Sequence, residues 1–184
     1  MHTDVLSLEN KNCRVGGSTF FNTGHKQGDM HERAAAFKQR AAESFGIEVD
    51  VHEFPEGTKT AADAAAVVGC DLAQIASSLA FVADRFVVSV TSGANRVDTE
   101  RLAALQGADG AQMADPDEVS STLGWSIGGV PPFCHDTQVP VYLDETLTDY
   151  DTVWAAAGTP EAVFPIHPEE IVEHADATVV DIAE

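Results

Sequence analysis

The 184-residue chain is 44% hydrophobic, a length and composition typical of one folded domain and not of a disordered segment. Its 30 acidic and 10 basic residues give a formal net charge of −20, and the acids are spread along the whole sequence, so the predicted surface repels a phosphate backbone. No apolar run approaches the ~20 residues of a membrane span, the first residues show no basic and apolar leader, and three widely spaced cysteines predict neither a disulfide framework nor a thiolate zinc site.

These features predict a cytoplasmic protein, and the acidic excess favours a cytoplasm of very high salt, as in halophiles. Molar salt confines the repulsion between like charges to within ~3 Å. We therefore expect the melting temperature to rise steeply between low and molar KCl.

Residues 1–29 show no periodicity and contain several glycines, which predicts a loose N-terminal extension before a single domain over residues 30–184. The first half of that domain carries patterns for helices, a strand and a β-hairpin. The predicted helices run from His31 to Phe45, from Thr60 to Gly69 and over 71–75, the strand covers 47–54, and the hairpin joins 79–82 to 85–91.

The second half predicts further strands and helices in alternation. Helices begin at Asp98 or Thr99, at Asp115-Pro116 and at His167, a helical turn covers 144–147, and strands cover 139–143, 152–156, 162–166 and 178–182. Because several strands follow one another through short turns, we predict an α/β fold with a mixed sheet and helices packed around it. A doubly wound parallel sheet does not fit this order.

The segment 126–133, Ser-Ile-Gly-Gly-Val-Pro-Pro-Phe, is the main candidate for a site. Its paired glycines allow a sharp turn and a close approach of another group, and its paired prolines stiffen the loop. The free amides of Gly128 and Gly129 are suited to hold a carbonyl or an oxyanion. The alternative from these residues alone is a tight structural turn.

Other candidate groups are isolated. Arg96 precedes a helix start and is suited to pair with Asp98 or with a ligand phosphate, and Lys59 lies in a turn as either a site group or a solvated charge. The triplet Cys134-His135-Asp136 has no second cluster of ligands, which favours a structural role over a nucleophile or a metal site. No P-loop, GxGxxG, GxSxG or HExxH motif is present.

A series of short stretches in a fixed order is more specific than any one of them. The stretches are Glu56-Gly57-Thr58-Lys59-Thr60-Ala61, residues 74–81 (Gln-Ile-Ala-Ser-Ser-Leu-Ala-Phe), residues 92–98 (Ser-Gly-Ala-Asn-Arg-Val-Asp), residues 114–119 (Ala-Asp-Pro-Asp-Glu-Val), the loop 127–133, Asp144-Glu145, and residues 158–164 (Gly-Thr-Pro-Glu-Ala-Val-Phe). From Phe37 to the C-terminus, about four fifths of the chain, this order resembles the YbaK/ProX/EbsC family of aminoacyl-tRNA deacylases.

The resemblance implies a barrel-like mixed sheet surrounded by helices, and hydrolysis of the ester of a mischarged tRNA, which is trans-editing. It implies aminoacyl-tRNA as a partner, a synthetase such as prolyl-tRNA synthetase as a further one, and no metal or organic cofactor. The family's GxxxP loop, whose backbone holds the aminoacyl carbonyl, matches Gly128 and Pro132, with Phe133 beside it. The family's pocket residue at the end of the first strand corresponds to Phe54.

One position departs from the family pattern. Family members usually carry a lysine before the Ser/Thr-Leu of the strand, and here that position is Ser77, which has a hydroxyl and no charge. The resemblance leaves three alternatives open: loop amides and substrate groups suffice for hydrolysis, another cation such as Lys59 or Arg96 replaces the lysine, or the protein binds aminoacyl-tRNA or an amino acid without catalysis.

Overall fold

The computed structural model describes residues 30–54 and 60–184, and the predicted site residue Lys59 lies outside these ranges. The described residues form five α-helices and an eight-stranded mixed sheet. The helices are α1 (Glu32–Phe45), α2 (Ala61–Val68), α3 (Thr99–Gln106), α4 (Pro116–Leu123) and α5 (Pro168–Ala175). The strands are β1 (His52–Glu53), β2 (Ile75–Ala83), β3 (Arg85–Ser92), β4 (Gln112–Met113), β5 (Val141–Asp144), β6 (Val153–Ala156), β7 (Ala162–Ile166) and β8 (Thr178–Val180).

The β2–β3 hairpin is the centre of the sheet. The strand order is β1-β7-β6-β2-β3-β5-β8, and β4 pairs with β2 outside this path. The pairs β2–β6, β3–β5 and β5–β8 are parallel, whereas β1–β7, β2–β3, β2–β4 and β6–β7 are antiparallel. The predicted mixed sheet with helices packed around it is therefore confirmed.

The helix ends follow local sequence signals. Thr60 caps α2 by accepting a hydrogen bond from the Asp63 N–H at 3.1 Å, and the Asp63 carboxylate accepts one from the Thr60 N–H. This reciprocal capping box satisfies two backbone donors at the start of α2. Gly69 then ends the helix in the left-handed conformation, with φ of +75°.

Helix α1 fixes the main hydrophobic core. Phe37 is fully buried, and its ring lies 5.0 Å from that of Phe164 on β7 and 5.6 Å from that of Phe133. A second cluster lies under α2, where Ala64 and Ala65 pack with Ile75, Trp154 and Val163. The two clusters place apolar side chains on both sides of the β6–β2 part of the sheet.

The prediction of a strand over 47–54 is wrong for most of its length, because only His52 and Glu53 find a partner strand, β7. The alternation there reflects packing of Val49 into the core near α1. Strand β2 begins at Ile75, before the predicted start at Leu79, because its first residues pair with β6. The predicted short helix before it is a 3-10 turn over Leu72–Gln74, and β4 was not predicted.

In the part of the chain that the structure describes, none of the helices has the length and apolarity to cross a membrane.

Candidate functional site

The sheet opens beside the middle of β2. On one side β2 pairs along its length with β3. On the other side it pairs with β6 only at residues 75–76 and with β4 only at residues 81–82. Residues 77–79 therefore border an opening between β6 and β4.

The backbone polar groups of Ser78 face this opening. The Ala80 C=O accepts a hydrogen bond from the Ala114 N–H at 3.0 Å, so it points away from β3 and towards β4. Backbone groups alternate in direction along a strand, so the N–H and C=O of Ser78, two residues earlier, point the same way. These two Ser78 groups lie between the part of β2 that pairs with β6 and the part that pairs with β4.

The opening leads into a cavity of about 210 Å³. Apolar side chains from α2, β2, β6 and β7 form much of its wall, among them Ala64, Ile75, Leu79, Trp154 and Val163. None of the described residues that line the cavity has an ionisable side chain. Such a wall accommodates an uncharged group and disfavours a buried charge.

Residues 126–129 form a tight turn at the edge of the cavity. The Gly129 N–H donates to the Ser126 C=O at 3.0 Å. Gly128 has φ of +84°, and Ile127 is not among the residues with positive φ, which together identify a type II turn. Gly128 lines the cavity and is exposed, and within residues 30–54 and 60–184 its N–H makes no hydrogen bond.

The second glycine of the turn has a different environment. The N–H of Gly129 is used inside the turn. Of the two amides predicted to hold an oxyanion, the Gly128 N–H is therefore the one that has no protein partner in the described part of the chain. Gly129 is buried, and a Cβ built on it would lie 2.7 Å from the Thr159 Cα. Glycine is therefore required at this position for close backbone packing.

Ser77 reaches the same cavity from β2, where it is half-buried opposite Thr91 of β3. Its side chain shares one face of the sheet with Ile75, two residues earlier. Ile75 is paired with Trp154 of β6, so the Trp154 side chain also lies on this face. The structure thus brings Ser77, Gly128 and Trp154 to one cavity.

Other residues predicted for the site lie away from the cavity lining. Phe133 is 2% exposed and packs in the core against Phe37 and Phe164, and Pro132 is also buried. Of the two residues that match the GxxxP pattern, Gly128 therefore lines the cavity, whereas Pro132 is buried in the protein interior.

Phe54 and Arg96 lie further from the opening. Phe54 is half-buried and packs against the cluster that contains Trp154, behind the cavity wall. Arg96 is exposed, and its C=O accepts a hydrogen bond from the Glu184 N–H at 3.0 Å, near the end of the chain. Neither side chain is in the lining, so in the described residues no cation takes the place of the family's lysine.

Two residues of the lining were missed by the sequence analysis. Neither Trp154 nor Ser78 was predicted for the site. The Trp154 Nε1 and the Ser78 Oγ are both buried and have no hydrogen-bond partner among the described residues. No local sequence pattern marks them, because the opening beside β2 depends on where β6 and β4 stop pairing.

The loop is fixed from below by the other tryptophan. The Trp125 Nε1 donates to the Cys134 C=O at 2.9 Å. The Arg40 guanidinium lies 5.3 Å from the centre of the Trp125 ring and 2.9 Å from the Asp136 carboxylate. These contacts join α1 to both ends of the glycine and proline segment.

Cys134 and His135 lie in the same region as the contacts of Trp125 and Arg40. Burial raises the pKa of the Cys134 thiol to about 11, an effect that the nearby Arg40 charge opposes, so the thiol is protonated at neutral pH. The His135 Nε2 lies 2.8 Å from the Pro131 C=O, and burial lowers the pKa of this imidazole. Among the described residues, no three His, Cys, Asp or Glu side chains are grouped so as to hold a metal ion.

The sequence of the region that forms this cavity matches a known family. Residues 55–173 match the family model of the aminoacyl-tRNA editing domain. The chain belongs to the aminoacyl-tRNA editing domain family. The resemblance drawn from the ordered stretches is thereby confirmed. The matched residues include the cavity lining and the glycine turn, whereas α1 lies outside the match.

Relatives of this editing domain include proteins of two bacteria. YwhH of Bacillus subtilis (strain 168), an uncharacterized protein, is 35% identical over 130 residues, which are 68% of this chain and 81% of YwhH. EbsC of Enterococcus faecalis, provisionally named a Cys-tRNA(Pro)/Cys-tRNA(Cys) deacylase, is 25% identical over 147 residues, 78% of this chain and 90% of EbsC.

A solved structure agrees with the fold of the editing domain. It is a crystal structure provisionally described as a trans-editing enzyme for prolyl-tRNA synthetase, and it superposes with a TM-score of 0.77 at 41% identity. The match covers 82% of this chain and 97% of that one.

Proposed function

We propose that this editing domain hydrolyses the ester that links a wrongly attached amino acid to its tRNA. The observation that carries the proposal is the cavity beside β2, which has the Gly128 N–H at its edge and an uncharged wall. The aminoacyl group enters the cavity, while the tRNA, which is far larger than about 210 Å³, stays outside. The ester therefore lies at the cavity edge, next to Gly128.

The chemistry that fits this geometry is attack by water on the ester carbonyl. The carbonyl oxygen gains negative charge as the new C–O bond forms, and the Gly128 N–H donates a hydrogen bond to it. One such donor in a dry site lowers a barrier by about 2.7–4 kcal/mol. When the tetrahedral intermediate collapses, the bond between the acyl carbon and the ribose oxygen breaks. The proton lost by the attacking water is then taken up by the ribose oxygen.

A second candidate function is a non-catalytic module that binds aminoacyl-tRNA or a free amino acid. The observation in its favour is Ser77, which lines the cavity where the family's lysine would supply a positive charge. The described residues of the lining have no ionisable side chain, so they can stabilise the charge that develops during hydrolysis only through their dipoles. This function predicts ligand binding without loss of the ester.

Delivery of the tRNA is part of the proposal. A protein of net charge −20 repels the phosphate backbone, and at molar salt little free energy is gained from counterion release. We therefore expect a synthetase to present the mischarged tRNA, because the acidic domain binds free tRNA weakly.

The direct test is a panel of mischarged tRNAs incubated with the protein in molar KCl, with loss of the aminoacyl ester followed over time. Hydrolysis of at least one mischarged tRNA, absent in a sample without protein, is the expected result. Binding of the aminoacyl end with no hydrolysis of any panel member would instead establish the second function.

A further inference from the structure

The opening beside β2 is one residue pair of the hydrogen-bond ladder long. On the β6 side, pairing stops with Ala76 opposite Ala155. On the β4 side, the Ala80 C=O already accepts the Ala114 N–H at 3.0 Å. Between Ala76 and Ala80, Ser78 is the residue whose backbone groups point away from β3. The opening therefore presents one N–H and one C=O, both from Ser78.

The neighbouring strands cannot close the opening. Extended past β4 and Ala114, the β2–β4 register brings Pro116 opposite Ser78. A proline has no N–H to donate to the Ser78 C=O, and Pro116 is already the first residue of α4. On the other side β6 ends before Ala157, whose N–H donates to the Ala162 C=O at 2.8 Å, towards β7. The sequence thus keeps this position of the ladder open.

The accessible part of Ser78 is not its hydroxyl. The residue lines the cavity and is half-buried, yet its Oγ is fully buried. A ligand in the opening therefore meets the main chain of Ser78. Within residues 30–54 and 60–184, neither its N–H nor its C=O has a hydrogen-bond partner. Unpaired strand groups of this kind are a template for another main chain.

An aminoacyl group has the atoms that complete this position. Its amino nitrogen, α-carbon and carbonyl are joined as in a strand residue, whose N–H and C=O point the same way. When it pairs antiparallel to Ser78, its amino group donates to the Ser78 C=O and its carbonyl oxygen accepts from the Ser78 N–H. That oxygen has a second lone pair for the Gly128 N–H. A longer peptide does not fit, because β6 and β4 occupy the positions on either side.

From this geometry we propose that the main chain of Ser78 binds the aminoacyl group as a β-strand of a single residue, and that the Ser78 C=O recognises the free α-amino group. The inference rests on the proposed function for the identity of the ligand. An acyl group without the α-amino nitrogen leaves the Ser78 C=O unpaired and is bound poorly. Because the pairing uses main-chain atoms, it is common to different amino acids, and the cavity wall discriminates between their side chains.

The test of the Ser78 C=O measures binding separately from hydrolysis. The probes are 3′-amino-3′-deoxyadenosine joined through an amide to alanine, lactic acid or propionic acid, which differ in carrying an amino group, a hydroxyl or a hydrogen on the α-carbon. Dissociation constants are measured calorimetrically in molar KCl, which screens the attraction of the acidic protein for an ammonium group. We expect the alanyl probe to bind at least about tenfold more tightly than the propionyl probe, with the lactoyl probe, an uncharged donor, in between.

The Ser78 N–H is tested by removing it from the protein. Lactic acid incorporated at position 78 by nonsense suppression replaces this N–H with an ester oxygen, and Ser78→Ala is the matched reference, because it has the same methyl side chain and keeps the N–H. The ester variant should bind the alanyl probe at least about fivefold more weakly than Ser78→Ala does. Both should bind 3′-amino-3′-deoxyadenosine, which has no acyl group, with equal affinity. Melting curves establish that both variants are folded.

Equal binding of the alanyl and propionyl probes by the wild type, or no binding of either, would overturn the inference. A lactoyl probe no tighter than the propionyl probe would do so as well, because the amino group would then act through its charge. If the ester variant does not fold, the three probes on the wild type still decide. Ester hydrolysis of mischarged tRNA together with equal binding of the probes would retain the proposed function and reject this inference. A preference for the alanyl probe over the lactoyl and propionyl probes in the expected order, without hydrolysis of any mischarged tRNA, would do the opposite.

Discussion

Gly129 packs so closely on Thr159 that a Cβ at Gly129 would lie 2.7 Å from the Thr159 Cα. The contact holds the glycine turn against the connection between β6 and β7, which contributes Pro160 to the cavity lining. A type II turn at 126–129 and the β6–β7 connection are thus fixed relative to each other through backbone atoms.

The two glycines of the turn should respond differently to alanine. Gly129→Ala forces backbone atoms apart, and we expect a loss of about 1–3 kcal/mol of unfolding free energy, measured by urea denaturation. The rate of hydrolysis per folded molecule should fall by a smaller factor than the equilibrium constant of unfolding rises. A Gly129→Ala variant as stable as the wild type would contradict the close packing.

Gly128→Ala should affect the site more than the fold. Its φ of +84° costs an alanine about 1–2 kcal/mol, and the new Cβ would lie 3.3 Å from Pro160 Cγ. The turn then relaxes and displaces the Gly128 N–H. We expect hydrolysis of a mischarged tRNA to fall at least tenfold, about 1.4 kcal/mol in barrier. Unchanged turnover would give this loop a purely structural role.

Ser77→Lys tests whether a missing charge limits the reaction. The side chain would enter a cavity with no described ionisable group, where desolvation lowers the pKa of a lysine but a developing oxyanion favours its charged form. We expect a faster loss of the ester from mischarged tRNA. Ser77→Met has similar bulk without the charge and should not accelerate the reaction.

The opposite result has a defined meaning. If Ser77→Lys slows hydrolysis while Lys59→Ala does so as well, another cation already serves the site; Arg96→Ala, outside the cavity lining, should leave the rate unchanged. If neither the wild type nor Ser77→Lys hydrolyses any mischarged tRNA, yet the protein still binds an aminoacyl ligand, the binding module is the correct function.

Stability should fall on mild acidification because of His135. Burial lowers its pKa in the folded protein, with Arg40 acting in the same direction, while the Pro131 hydrogen bond and Asp136 oppose it. In the unfolded chain the pKa is about 6.5, so below that pH the unfolded state takes up a proton that the folded state does not. The stabilisation is present above about pH 6.5 and is lost as the pH falls towards the folded value.

The measurement is the melting temperature of the wild type and of His135→Asn between about pH 7.5 and pH 5. The wild type should lose more of its melting temperature over this range than the variant, because carboxylates elsewhere contribute equally to both. Parallel curves for the two proteins would show that His135 does not contribute.

Salt dependence tests the interpretation of the acidic surface. With a net charge of −20, the folded protein is destabilised by its own repulsion at low ionic strength. We expect a steep rise in melting temperature between about 0.1 M and molar KCl, as the screening length falls from about 10 Å to about 3 Å. A flat response would reject adaptation to a high-salt cytoplasm.

The features that depend on residues close together in the chain could be predicted from the sequence alone. The caps at Thr60 and Asp115 and the glycines that end α2 and α4 act within one turn of chain, so they predicted these helices closely. The hairpin of β2 and β3 followed from two apolar runs around Asp84. The order of the short stretches indicated the family because all of them fall within residues 55–173, the part of the chain that matches the editing domain.

The site itself was decided by the tertiary structure. Ser77 and Gly128 were predicted to lie together only through the resemblance, whereas Phe133 was predicted for the site and lies in the core, since α1 offers its ring an apolar partner in Phe37. Trp154 and Ser78 carry no local signal. The cavity they line exists because β6 and β4 stop pairing with β2 on either side of residues 77–79, and strand pairing is a contact between distant parts of the chain.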